Sequence, residues 1–394
     1  MQAELQALRA EVNELKQQAR AVPIVQAQVA EFAQTKVESS SKFPLKIFGT
    51  ISSNTFWNSN EPDWLDIPNV ATASRGGSFS SSLRQTRIGA SLEGPEVRGF
   101  KTSGVVAMDF FGGISNFNTG QTMGIPRLLV AYMRLEGKRT AFRVGQDQMI
   151  LAPRNPTSLA SMAFPALFRS GNLYLRAPQL RVEQTLASGS AGELRAVVGV
   201  LAPIGGDLNT TALQFVPPNL AGERSRKPAT QARLSLRSGP VGPDEKPQWE
   251  FGASGHYSQE KYGATTAESY VWAADADATF GRVGFGAELF NGRNIDAFGG
   301  AAGQFGRTRG GFAEVRFAAT RRLAFNSGIG TDRVYNWTPV YPARRNNTSA
   351  FGNAIYRFTP EFAGSFEYRH HQTGNAPSGR AINNHFNLTF NYSF

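Results

Sequence analysis

Six arginines lie in alternating stretches where apolar neighbours define the opposite face. Arg87 precedes Ile88, Ala90 and Leu92; Arg143 sits between Phe142 and Val144, and Arg181 between Leu180 and Val182; Arg233 and Arg237 flank Leu234 and Leu236; Arg316 lies between Val315 and Phe317. Two more, Arg154 and Arg169, fall in a stretch from Met149 to Ser170 that carries no Asp or Glu but has Pro153, Pro156 and Pro165. A guanidinium stays charged and presents planar donors, so its chemistry is to hold anions rather than to break bonds. Several of them around one aqueous path would attract anions and repel cations. The competing reading for any one of them is a wall residue paired with an acid, for which Glu93, Asp109, Asp147, Glu183, Asp275, Asp277, Glu288 and Glu314 are available.

Catalytic chemistry finds little support. The histidines are His256, His370, His371 and His385. His370 and His371 are adjacent and so point to opposite faces of a strand, where they cannot converge on a metal or a proton. Asp275 and Asp277 share a face and could work as an acid/base pair, but arginine-rich surroundings favour ion-paired wall residues. No nucleophile elbow, zinc-protease helix, phosphate loop or dinucleotide fingerprint occurs. We therefore expect no catalytic residue, no cofactor and no metal.

Lys+Arg 41 against Asp+Glu 30 gives a net charge of +11, yet the basic residues are scattered singly and form no interleaved aromatic-basic face. Nucleic acid is thereby disfavoured as a partner. Gly 41, Phe 29 and only 18% charged residues in 394 residues suggest many turns and strands rather than one packed core. No run of about 18 apolar residues occurs, so helices cannot span a bilayer here. A membrane-spanning chain without such helices must close its strands into a barrel, because lipid offers no partner to a free backbone group. The absence of cysteine suits an exported protein. Met1 to Glu14 shows no basic stretch followed by an apolar one, so the sequence is read as starting at a mature end.

Two segments of different period position these residues. Over residues 1–36, Leu5, Leu8, Val12, Leu15, Ala19 and Val22 recur at alternating spacings of three and four, an a/d seam that predicts a coiled-coil helix able to hold an oligomer. After a linker at 37–44 the period changes to two and stays there from 45 to 394. In the last segment Phe386, Leu388, Phe390, Tyr392 and Phe394 alternate with His385, Asn387, Thr389, Asn391 and Ser393, as a strand between lipid and a watery lumen requires. About sixteen such segments can be followed, with connections that alternate short and long, for example Glu136 to Arg139 and Met149 to Ser170, or Thr359 to Glu361 and His371 to Asn384. The predicted fold is all-β: a transmembrane antiparallel barrel of about sixteen strands, with the stretch of about 149–170 folded inward as a constriction loop and the helix on the periplasmic side.

Tyr392-Ser393-Phe394 looks like the terminal signal read by the outer-membrane assembly machinery. Arg84-Gln85-Thr86-Arg87-Ile88-Gly89, Val144-Gly145-Gln146-Asp147 and Ala177-Pro178-Gln179-Leu180-Arg181-Val182-Glu183, together with the helix and the strand pattern, resemble the DcaP-type porins associated with dicarboxylate uptake. The resemblance covers the whole chain and implies a homotrimer with a periplasmic coiled coil, seated in outer-membrane lipid and lipopolysaccharide and preferring small anionic solutes. Two other functions compatible with a barrel are an envelope tether and an outer-membrane hydrolase.

Overall fold

A strand with one apolar and one polar face is satisfied only where lipid lies on one side and water on the other, and closing the sheet leaves no unpaired edge. The computed structural model describes residues 44–74, 76–113, 124–203, 220–239, 246–301, 306–336, 344–375 and 379–394. The coiled coil expected at 1–36 and nearly all of its linker lie outside these residues. In chain order the strands are β1 (Leu45–Asn58), β2 (Ser78–Ser82), β3 (Arg87–Glu93), β4 (Lys101–Asp109), β5 (Arg127–Glu136), β6 (Thr140–Gln148), β7 (Arg176–Gly189), β8 (Gly192–Leu201) and β9 (Ala229–Arg237). They continue as β10 (Trp249–Tyr262), β11 (Thr265–Phe280), β12 (Val283–Arg293), β13 (Arg307–Ala318), β14 (Leu323–Val334), β15 (Arg344–Arg357), β16 (Phe362–Asn375) and β17 (Gly379–Ser393).

All neighbours are antiparallel, and β17 closes on β1 from Thr50↔Ser393 to Asn58↔His385. The last residue completes the seam: the Gly49 N–H donates to the Phe394 carbonyl at 3.0 Å, and the Phe394 N–H returns to Gly49 at 3.1 Å. β2 pairs with the upper half of β1 and β3 with its lower half, so both belong to one stave interrupted at Leu83–Thr86. The seventeen segments thus make a closed barrel of sixteen staves.

Two expectations need correction. The stretch from His371 to Asn384 is mostly strand, since β16 and β17 stay paired up to Asn375↔Gly379. Its outward residues Gln372, Gly374 and Arg380 are not apolar, so the parity signal fades there although the backbone pairing does not. The connection after β6 runs beyond Ser170 to Leu175, and β7 begins at Arg176. A bulge hides another feature: Ala107 pairs with Val130 and Met108 with Leu128, leaving Leu129 as the extra residue. One extra residue inverts parity. Below it Met133 is exposed to the outside, and Tyr132 and Arg134 turn inward.

Wall height is uneven. β10, β11 and β15 to β17 have 14–16 residues, whereas β3 to β6 have 7–10. Among the described residues, three connections turn inward from the wall: 59–72, 149–175 and 294–301. In the last, burial and the neighbouring Glu260 carboxylate push the Asp296 carboxyl up to about 6, and its Oδ1 is enclosed without a hydrogen-bond partner. Because the folded value lies above the ordinary 3.8, this group's contribution to stability is fully present below that value and is lost as pH rises through about 6, an effect of about 3 kcal/mol over the whole window. Thermal unfolding is therefore expected to show higher stability at pH 5 than at pH 7.5, with Asp296→Asn removing that component. An unchanged pH difference in the variant would contradict this account of the loop.

Candidate functional site: the lumen and its inward loop

The 149–175 connection is held against the inner wall by bonds from its own backbone. The Ile150 and Leu151 N–H groups donate to Gln231 Oε1 on β9 at 2.8 and 3.0 Å, and the Ala152 N–H to Ser254 Oγ on β10 at 3.3 Å. Further along, the Thr157 N–H donates to Glu314 Oε2 on β13 at 2.8 Å and Ser158 Oγ to Glu367 on β16. At the stave of β2 and β3, Gln85 accepts the Met162 N–H at 2.6 Å and donates to the Ala160 carbonyl at 2.9 Å. The chain then doubles back: Ser170 Oγ lies 2.7 Å from Ser349 Oγ on β15, and Asn172 donates to the Arg154 carbonyl at 2.6 Å. Apolar contact reinforces this course. Leu151 and Leu173 are buried with Val271, Ala273 and Phe290, and Leu167 with Phe312 and Phe351, at about 2 kcal/mol for each leucine removed from water. At Gly171, φ is +97°, and a Cβ there would strike the Gly311 carbonyl, so only glycine allows the return limb to touch the wall.

Below the first turns of this loop lies a cavity of 690 Å³. It gathers five of the sequence-predicted residues, Arg143, Arg154, Arg181, Arg233 and Arg237, with Arg134, Lys138, Arg139 and Arg195. Glu136, Glu183, Glu193 and Glu250 are the carboxylates in the same wall, so nine basic groups face four acidic ones. Most of these guanidinium groups are paired. Arg154 binds Asp275 at 2.7 Å and Glu250 at 3.1 Å; Arg233 binds the same two at 2.7 and 2.8 Å; Arg237 binds Glu193 at 2.7 Å. Arg143 pairs with Asp147, and Arg181 lies 3.2 Å from Asp147 and 2.9 Å from Glu183. Glu183 also pairs with Arg195 and lies 3.7 Å from both Arg134 and Arg143.

One carboxylate thus holds four guanidinium groups together. Glu183→Gln would leave them facing one another, and a broken, nearly buried pair costs about 3 kcal/mol where water is excluded and less in an open lumen. The expected result is a lower thermal unfolding temperature together with a higher chloride-to-potassium permeability ratio. A stable variant with unchanged selectivity would show that the Glu183 cluster is not part of the ion path.

The other three predicted residues lie elsewhere. Arg316 is bound to Asp277 at 2.7 Å and Glu314 at 2.9 Å. Arg169 adopts φ of 62°, sits 3.5 Å from Asp63 of the 59–77 connection, and lies 6.0 Å from the Trp64 ring. Arg87 differs from all of these. Among the described residues it forms no ion pair; its Nε is enclosed without a partner, and Arg176, close enough to repel it, is in the same state. Arg176 lies 5.3 Å from the Tyr174 ring, where the loop rejoins the wall, and nearby Arg127 is neutralised by Asp109 at 2.7 Å. Two guanidinium groups without an ion pair, within the field of Asp109, therefore lie beside the loop's end.

Arg176 and Arg127 open their strands, where the residues before them belong to connections and set no parity, although Leu128 after Arg127 carried the signal. Arg195 between Leu194 and Ala196, and Arg134 between Met133 and Leu135, were equally readable. The segments that carry the family resemblance turn out to secure the loops. Arg84 grips Asp66 through two bonds of 3.1 and 2.6 Å, Gln85 clamps the loop at 160–163, and Gln179 donates to the carbonyls of Asp147 and Gln148 at the loop's root, both at 3.0 Å.

Asp275 and Asp277 are both ion-paired to arginine. His371 points inward and is buried, while His370 bonds Asn384 at 2.9 Å on the outer face. Among the described residues no cluster of His, Asp and Glu could hold a metal ion.

Closed barrel, polar lumen and inward loop define a chain with the fold of an outer-membrane porin. Its solved counterparts include the outer-membrane channel DcaP of Acinetobacter baumannii, with TM-score 0.70 and 16% identity over 90% of this chain and 99% of that one. An anion-selective porin from Comamonas acidovorans gives TM-score 0.57 and 9% identity over 90% and 100% of the two chains. OmpT of Vibrio cholerae, described in a trimer form, gives 0.53 and 9% over 90% and 100%. At these identities the likeness is one of fold. No family model and no curated protein matches the sequence.

Proposed function

We propose that the protein is an outer-membrane porin through which small hydrophilic solutes diffuse, with a preference for organic anions such as dicarboxylates. The observation that carries this reading is the pair Arg87 and Arg176, inward guanidinium groups that form no ion pair among the described residues and whose Nε atoms are enclosed without a partner. A dianion could engage both through charge-assisted hydrogen bonds, while a cation would be repelled. The nine basic groups around the cavity below extend the same field. The 149–175 loop acts as the constriction that brings solutes to them. The named anion-selective porin with the same fold adds support. Paired acids and divergent histidines give a hydrolase nothing to work with, so no enzymatic role is proposed.

We read the assembly as a homotrimer held in part by the N-terminal heptads, with the helix in the periplasm. The low wall supports this: β3 to β6 barely reach the 9–11 residues needed to span the hydrocarbon, and their outward Ile88, Leu92, Leu128 and Met133 are exposed. A neighbouring copy covering that side would shield it from lipid. Phe394, seated at the closing seam, is proposed as the residue the assembly machinery reads.

The direct test is uptake into proteoliposomes of size-matched four-carbon solutes. Succinate is expected to enter faster than erythritol, and erythritol faster than diaminobutane. Entry of the diamine at the rate of succinate would refute the preference, and exclusion of all three would refute the porin.

A further inference from the structure

The short turn between β5 and β6 carries Lys138 and Arg139, both exposed and both without an ion pair among the described residues. The turn is fixed from two sides: the Gly137 N–H donates to the Thr140 carbonyl, and the Thr185 N–H of β7 to the Arg139 carbonyl, each at 2.8 Å. Because Thr185 also pairs with Arg195, that arginine of β8 stands at the level of Arg139. These three cations line the short-turn end of the 690 Å³ cavity, and Ile150, Pro153 and Arg154 of the loop line its other end. Between the two ends the register sets three guanidinium groups in one row, Arg134 opposite Arg143 and Arg143 opposite Arg181. Like charges directly opposite each other destabilise a sheet. Asp147 and Glu183 relieve the row in part. Even when Asp147 and Asp275, which share these arginines, are counted with the four carboxylates of the wall, nine basic groups face six acidic ones and three positive charges remain. A small dianion neutralises two of them at one place. A chain of linked phosphates carries three or more charges along a flexible backbone and can reach from the mouth to the row.

We propose that this bay is a separate binding site for linear oligophosphate arriving from the periplasmic end, held between Lys138, Arg139 and Arg195 at the mouth and the Arg134, Arg143 and Arg181 row beyond. The proposal goes beyond the dicarboxylate preference carried by Arg87 and Arg176, and it rests on the porin reading only for which end of the barrel is periplasmic. Arginine suits the task because its planar fork takes phosphate oxygens in pairs. The row spans about 10 Å across two strand spacings, a length that a short phosphate chain covers and an isolated phosphate does not. While it stays bound, the polyanion reverses the field at the mouth and slows the passage of smaller anions.

The test is isothermal titration calorimetry of the full-length protein in detergent with tripolyphosphate, orthophosphate or succinate. The expected result is binding of tripolyphosphate about tenfold or more tighter than of either small anion, weakening as salt is raised. Lys138→Gln with Arg139→Gln should lower the tripolyphosphate affinity by about tenfold, and adding Arg195→Gln should lower it further. Arg87→Gln with Arg176→Gln should bind tripolyphosphate as the wild type does. Unchanged affinity in the Lys138 and Arg139 variant overturns the proposal. So does a loss in the Arg87 and Arg176 variant, which would place the ligand at the constriction, or succinate binding as tightly as tripolyphosphate, which would mark an unselective anion path. Lys138 and Arg139 are exposed, so their replacement disturbs the wall least, and heat-modified electrophoretic mobility checks that each variant is folded. A wild-type reversal potential of the sign set by potassium would refute the anion-pore reading and leave the calorimetric result standing, so the two failures are distinguishable.

Discussion

Replacing Arg87 and Arg176 together by glutamate is expected to lower the chloride-to-potassium permeability ratio by about tenfold. Each elementary charge at roughly 5 Å from a permeating ion is worth about 0.8 kcal/mol in bulk water, so a change of four charges gives about 3 kcal/mol unscreened and about 1–2 kcal/mol in salt. The effect is large because neither member of this pair forms an ion pair among the described residues, unlike Arg233 or Arg237. Arg87→Gln with Arg176→Gln should fall midway, and lysine at both positions should retain most of the preference. The ratio is read from planar-bilayer reversal potentials, and no shift in the glutamate variant would remove this pair from the ion path.

The second large effect concerns the loop. Gly171→Val combines strained φ with a collision against the Gly311 carbonyl, an expected cost of about 3 kcal/mol at the contact. Relief comes from the return limb leaving the wall, since the limb at 150–163 keeps its bonds to Gln231, Glu314 and Gln85. Single-channel recordings should then show conductance changed by about a factor of two together with added open-state noise, because the narrowest cross-section sets the current. A quiet channel of wild-type conductance would show that the return limb does not border the pore.

What was readable in the sequence followed from parity. The inward direction of Arg143, Arg181, Arg233, Arg237 and Arg316 rests on the two-residue period that lipid enforces on each strand, where a misplaced charge at mid-membrane costs about 2–4 kcal/mol. Parity failed wherever that pressure lapsed. Above the lipid band, Gln372 and Arg380 lie on paired backbone without an apolar neighbour to reveal it. At Leu129 one inserted residue broke the alternation within β5, so that Leu128 and Met133 face the same way.

Pairing was less legible than direction. Asp275 lies near Arg233 in space through an intervening strand and meets Arg154 through a loop, and neither meeting leaves a local trace in the chain. The route of the loop depends on Gln85, Gln231 and Asn347, ordinary polar residues whose partners are 75 or more positions distant. For the same reason Arg87, one of eight similar candidates in the sequence, became distinctive only once the others were seen to be neutralised.

The central claim is that lumen arginines without an ion pair make this barrel an anion-preferring porin, and the reversal potential of the wild-type channel tests it most directly. In a planar bilayer under a tenfold potassium chloride gradient at neutral pH, the account predicts a reversal potential of the sign set by chloride. A value at zero or of the sign set by potassium would contradict it.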